Sequence, residues 1–171
     1  MSRAFVKEPD APPADDIHER PQSEHPNYIT PSGLARLRTE FHALEKRRAQ
    51  LVDAVEDPMQ QQQRAETERD MRYVQGRIER AVVVDLARQP AEEVHFGAVV
   101  DVVDNDGHEH RFQIVGEDEV DAAGGRVSWI SPLAKAMLGA RIGDTVTWQR
   151  PAGNLELEIL AIHYPKDSDG E

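Results

Sequence analysis

The sequence predicts an α plus α+β chain: an N-terminal antiparallel coiled-coil hairpin followed by a small α+β domain. Three observations carry that prediction. Apolar residues recur at intervals of three and four in two successive stretches, the period of paired helices. Between the stretches stands Asp57-Pro58, a helix cap followed by a residue suited to a first helical turn. Past Asp85 the pattern changes to strict alternation around turn residues, the signature of strands.

Taken in order, residues 1–28 are acidic, proline-rich and poor in large apolar side chains, with Phe5 and Val6 as the only anchor. Such a segment cannot bury enough surface to offset its ordering entropy and reads as a disordered or loosely docked arm. The hairpin is expected over 29–88. Thr30 caps and Pro31 starts its first helix, whose seam is Leu34, Leu37, Phe41, Leu44, Leu51 and Val55, with Arg48 at the skipped position. The returning seam is Thr67, Met71, Val74, Ile78 and Ala81. Arms of about 26 residues would be roughly 39 Å long at 1.5 Å per residue. Polar residues fill the seam near the bend, so pairing should be loosest there.

The second domain is expected over 89–165, with a flexible tail at 166–171. FGAVVDVVD (96–104) and HRFQIVG (110–116) read as strands around Asn105-Asp106-Gly107, a strong hairpin signal. VSWI (127–130), GDTVTWQR and LELEILAIHY are three more strands, and Ser131-Pro132 opens a short helix ended by Gly139.

Composition bounds the function. The 171 residues carry a formal charge of −12, so the net field repels nucleic acid and anionic lipid. Residues 30–85 hold ten Lys/Arg against ten Asp/Glu, so this region is neutral and can present a local basic face. The absence of cysteine excludes disulfides, thiolate metal sites and a cysteine nucleophile. No signal peptide and no stretch of membrane-spanning length is present, so a soluble, cytoplasmic protein with no membrane partner is expected.

YITPSGLARLRTE, HFGAVVDVVDNDGHEHRFQIVGEDE, SPLAKAMLGARIGDTV and RPAGNLELEILAIHY together resemble the bacterial transcript cleavage factors GreA and GreB, GreB more closely. The resemblance covers residues 28 to 164, and SPLAKAMLGARIGD is its most specific part. It implies an FKBP-like C-terminal domain, a monomer, and RNA polymerase as partner, with the hairpin entering the secondary channel. The polymerase remains the enzyme, so the factor is an accessory protein without catalytic residues or a cofactor of its own. Ser131, Pro132 and Leu133 match the loop that grips the channel rim, although Ile130 stands where relatives often have an acid. Lys46, Arg47 and Arg48, with Arg64, Arg69 and Arg72 on the returning arm, read either as an ordinary helix surface of Glu–Arg pairs or as a basic face. In the relatives a basic patch on the coiled coil meets the extruded RNA 3′ end by charge, and Lys46, Arg47, Arg48 and Arg64 are its candidates here.

In the family an acidic D-x-x-E pair at the hairpin tip helps hold the second magnesium ion of the polymerase for RNA cleavage. Two-metal chemistry needs hard carboxylates within about 2 Å of the ion. Asp53 and Glu56 keep that spacing, but Asp57-Pro58 follows where N-x-x-Y should continue. The matching segments also leave each arm about seven residues short, or roughly 10 Å of reach. So Asp53, Glu56 and Asp57 read first as a bend with solvated acids; a tip directed at the shared Mg²⁺ requires deeper insertion. Three functional readings follow: a secondary-channel regulator of elongation or channel access, a GreB-like stimulator of cleavage, and a polymerase-independent regulator of the nucleoside diphosphate kinase type. His108-Glu109-His110 offers alternate imidazoles without a third ligand nearby and reads as hairpin continuation. An FKBP-like fold does not confer prolyl isomerisation, and Phe96, Phe112, Trp129 and Trp148 are accounted for by core packing.

Overall fold

The computed structural model describes residues 17–51 and 57–166. They fall into two compact units. Residues up to Gln22 and Arg38–Glu79 make one, Ser23–Leu37 and Arg80 onward the other.

The two long helices are α1 (Pro31–Gln50) and α2 (Pro58–Glu79), of 20 and 22 residues; the helical unit takes α1 from Arg38 onward and all of α2. At 1.5 Å per residue they are roughly 30 and 33 Å long, shorter than the sequence pattern suggests. Both begin on proline, whose fixed φ and missing N–H suit a first turn. The α2 seam is as read: Thr67, Met71 and Val74 are buried. Ile78 is half-buried. Along α1, burial fades from Leu37 to half-buried Phe41 and Leu44 and exposed Arg48. Each full apolar burial stabilises by roughly 1.5–3 kcal/mol, so the last turns of α1 contribute little to pairing. Two features depart from the pattern. Arg77, next to the seam residue Ile78 and not itself on the expected seam, is only 1% exposed. Ala81 is no seam residue, because α2 stops at Glu79 and Ala81 opens a strand.

That strand, β2 (Ala81–Val83), pairs in parallel with β1 (Asn27–Ile29), matching Asn27 to Ala81 and Ile29 to Val83. Asn27 and Tyr28 therefore belong to a strand, where the sequence suggested the end of an arm.

The main sheet is built from β3 (Val99–Asp104), β4 (Glu109–Val115), β5 (Arg126–Ser128), β6 (Thr145–Trp148) and β7 (Leu155–His163), in spatial order β5-β4-β3-β7-β6. The β4–β5 pair is parallel and the others antiparallel. Alternation sets its faces: Val100 and Val102 of β3, and Leu157 and Ile159 of β7, are fully buried. Glu156 and Glu158, which alternate with that β7 pair, point to solvent. The short helix α3 (Pro132–Met137) adds Leu133, Ala134 and Met137 to the same core. At the β3–β4 turn, Gly107 has φ +81°, which only glycine adopts without strain. No described helix is long and apolar enough to cross a membrane.

Candidate functional site

The start of α1 is set by a buried carboxylate. Thr30 caps the helix: its hydroxyl accepts the Gly33 N–H at 3.0 Å and its carbonyl accepts that of Leu34 at 3.0 Å. Behind the cap lies Glu119, 2% exposed. It accepts hydrogen bonds from the Thr30 N–H at 3.1 Å, the Gly116 N–H at 3.0 Å and the Thr30 hydroxyl. The guanidinium groups of Arg36 and Arg126 stand 3.7 and 3.6 Å from its Oε1. A buried charge is tolerable only when paired and hydrogen-bonded in this way. Gly33 makes the approach possible, since a Cβ there would lie 2.3 Å from the Glu119 carboxyl carbon. Sequence reasoning missed this group because Glu117-Asp118-Glu119 looks like any solvated acidic run; the Thr-Pro-Ser-Gly start of α1 is the one signal that pointed there.

At the bend, Asp53 and Glu56 lie outside the described residues. Asp57 is exposed, and its Oδ1 accepts the Met59 N–H at 3.0 Å while its carbonyl accepts that of Gln61 at 3.0 Å. It works as the α2 cap.

The basic residues of the helices separate into two groups. Arg64 pairs with Glu68 at 3.1 Å, one turn away on the same helix, and Arg69 with Asp70 at 2.9 Å. Lys46, Arg47 and Arg48 are exposed, with no acidic partner among the described residues. Arg48 shares a groove of about 180 Å³ with Glu68, Met71, Arg72 and Gln75.

In the sheet domain, Ser131 caps α3, its hydroxyl accepting the Ala134 N–H at 3.2 Å. Pro132 is exposed, whereas Leu133 is 4% exposed and packs in the core. The loop therefore presents Pro132 outward while Leu133 fixes it from beneath.

The Asp104, Asp106 and His108 ligand atoms lie within 4.8 Å of one another. Asp104 is already engaged, however. Its Oδ1 accepts the N–H groups of Asp106 and His108 at 3.0 and 2.9 Å, and the His110 imidazole meets its Oδ2 at 2.9 Å. Those bonds, the imidazole first, hold its carboxyl down at about 2. His110 also stacks on Phe112, with centroids 5.9 Å apart. The cluster is accounted for as a turn clasp. Phe112 and Trp148 meet edge to face at 6.3 Å, and Tyr28 meets Trp129 at 5.1 Å, so these aromatics pack on one another.

A paired-helix element begun on a buried acid, together with a five-stranded sheet domain, defines a hairpin-bearing factor. Residues 89–164 match the family model described as "Transcription elongation factor, GreA/GreB, C-term". The chain is 38% identical to transcription elongation factor GreB of Neisseria meningitidis serogroup B, over 84% of this chain and 98% of that one. It is 36% identical to transcription elongation factor GreA of Alkalilimnicola ehrlichii, over 80% of this chain and 96% of that one. A solved structure of GreA factor homolog 1 from Thermus thermophilus is 24% identical over 81% of this chain and 99% of its own, with a TM-score of 0.40. The chain belongs to the GreA/GreB family.

Proposed function

We propose that this protein is a transcription elongation regulator that binds bacterial RNA polymerase at its secondary channel and modulates elongation or channel access. The observation that carries this reading is the family match running through hairpin and sheet domain together, combined with short helices. The stretch matched to the Neisseria factor is 84% of 171 residues, about 144, laid against 159 positions, so about 15 have no counterpart here. Were those positions helical and shared between two arms, they would amount to about one heptad each, or roughly 10 Å of reach. The described helices, at 20 and 22 residues, are in keeping with that.

The remaining parts take their places accordingly. The sheet domain, with α3 packed on one face of five strands, is read as FKBP-like and as the polymerase-gripping part, through Ser131 and Pro132 with Leu133 as internal support. Lys46, Arg47 and Arg48, with Arg64 at the edge, form the patch that meets the RNA 3′ end. Asp57 near the bend acts as a helix cap, and the catalytic magnesium belongs wholly to the polymerase. A GreB-like role for Asp53 and Glu56 is favoured only by their retained spacing.

Binding to polymerase in competition with an authentic GreB tests the proposal. Displacement of GreB, weakened by replacing Pro132 with Asp, is the expected result. Failure to bind polymerase removes both transcription readings and promotes the polymerase-independent one.

A further inference from the structure

We propose that Ile17–Gln22 is a cover lying in cis on a single-stranded RNA docking face of α2, with Glu19 in the place of a phosphate and Arg20 in that of a base. The contacts are specific. Arg72 donates to one oxygen of the Glu19 carboxylate, Oε1, through Nε at 3.0 Å and also through its terminal nitrogen, so a single anionic oxygen takes both guanidinium N–H groups, as a phosphate oxygen can. The pair holds the Glu19 carboxyl below its usual range, chiefly through the Arg72 hydrogen bond. The Arg20 guanidinium lies 3.7 Å over the Tyr73 ring and also reaches Asp70 at 3.5 Å. Gln22 donates to the Tyr73 carbonyl at 3.0 Å, and the space for it exists because residue 76 is glycine, whose added Cβ would stand 2.9 Å from the Gln22 amide nitrogen.

An anion on a guanidinium next to a flat cation on an aromatic face is the pattern single-stranded nucleic acid uses: phosphate to cation, base to ring. Two features make the cover displaceable. The Glu19 and Arg72 side chains are 61% and 56% exposed, and ion pairs in that setting hold weakly in water. A strand also offers more than the cover does. Arg48 lines the same groove as Arg72, and Lys46 and Arg47 follow on α1 without acidic partners among the described residues, so phosphates entering there gain cations that Glu19 does not reach. The choice of RNA rests on the proposed function; the cover itself does not.

The test uses the full chain without polymerase. Affinity for a fluorescent single-stranded RNA of about twelve nucleotides is measured at low salt, where charge contacts are strongest. The double variant Glu19→Gln, Arg20→Gln removes one charge of each sign, so the net field is unchanged. It is expected to bind RNA about three- to thirty-fold more tightly, the size of one exposed ion pair and one cation–ring contact together. Arg72→Gln and Tyr73→Leu on that background should abolish the gain. Unchanged RNA affinity with a lowered Tm would make the segment a brace only and overturn the proposal. So would a gain that survives loss of Arg72 and Tyr73. A chain that passes this test yet fails to bind polymerase keeps the cover and loses the elongation role.

Discussion

The two long helices begin alike, Thr30-Pro31 and Asp57-Pro58, each a side-chain cap followed by proline. Their surroundings differ. Thr30 is 3% exposed and backed by buried Glu119, whereas Asp57 is exposed and, among the described residues, bonds to its own helix through the Met59 and Gln61 N–H groups. One local signal thus serves two ends. At Thr30 removing a partner strands a buried polar group, which costs far more than a lost surface bond. At Asp57 water replaces whatever is lost. The start of α1 is fixed by tertiary structure, whereas the bonds seen at the start of α2 among the described residues are local.

Substitutions can break or sharpen that contrast. Gly33→Val places a side chain where the Glu119 carboxyl stands and should cost about 3 kcal/mol or more in urea unfolding, because the displaced carboxylate loses its buried donors. A cost as small as that of a surface change would show that the buried carboxylate does not hold the helix start. Asp57→Ala should cost about 0.5–1 kcal/mol by the same measurement, the range of an exposed N-cap.

Asp104 is an intermediate case, a carboxylate clasping a turn rather than a helix. Its folded value of about 2 lies below the ordinary 3.8. The stability it contributes is therefore fully present above pH 3.8 and lost as pH falls through about 2. Replacing Asp104 with Asn should flatten the fall in urea midpoint across that window. An unchanged fall would place the acid sensitivity elsewhere.

The same contrast explains what was legible in the sequence. Helices α1 and α2, the five strands of the main sheet and α3 follow from periodicity and punctuation, since their apolar faces repeat. Thr67, Met71 and Val74 fall on the expected seam. The β1–β2 pair was not legible, because three-residue strands have too few residues to show a period, and their parallel pairing joins positions 27–29 to 81–83. Ala81 fitted the helical seam in spacing alone; the chain had already left the helix. Glu119 was hidden because an acid buried by long-range partners has the same local sequence as a solvated one. Of the candidate site, the caps and the Ser131 turn were legible. The pairing of Glu19 with Arg72 was not, as it links residues 53 apart through an exposed surface.

The most direct measurement for the central claim, that helix length limits what the bend can touch, is the rate of RNA cleavage in a stalled, backtracked elongation complex. Added alone, this protein is predicted to leave that rate unchanged, and added with an authentic GreB to slow it. Faster cleavage by the protein alone, abolished by Asp53→Ala with Glu56→Ala, would contradict the account.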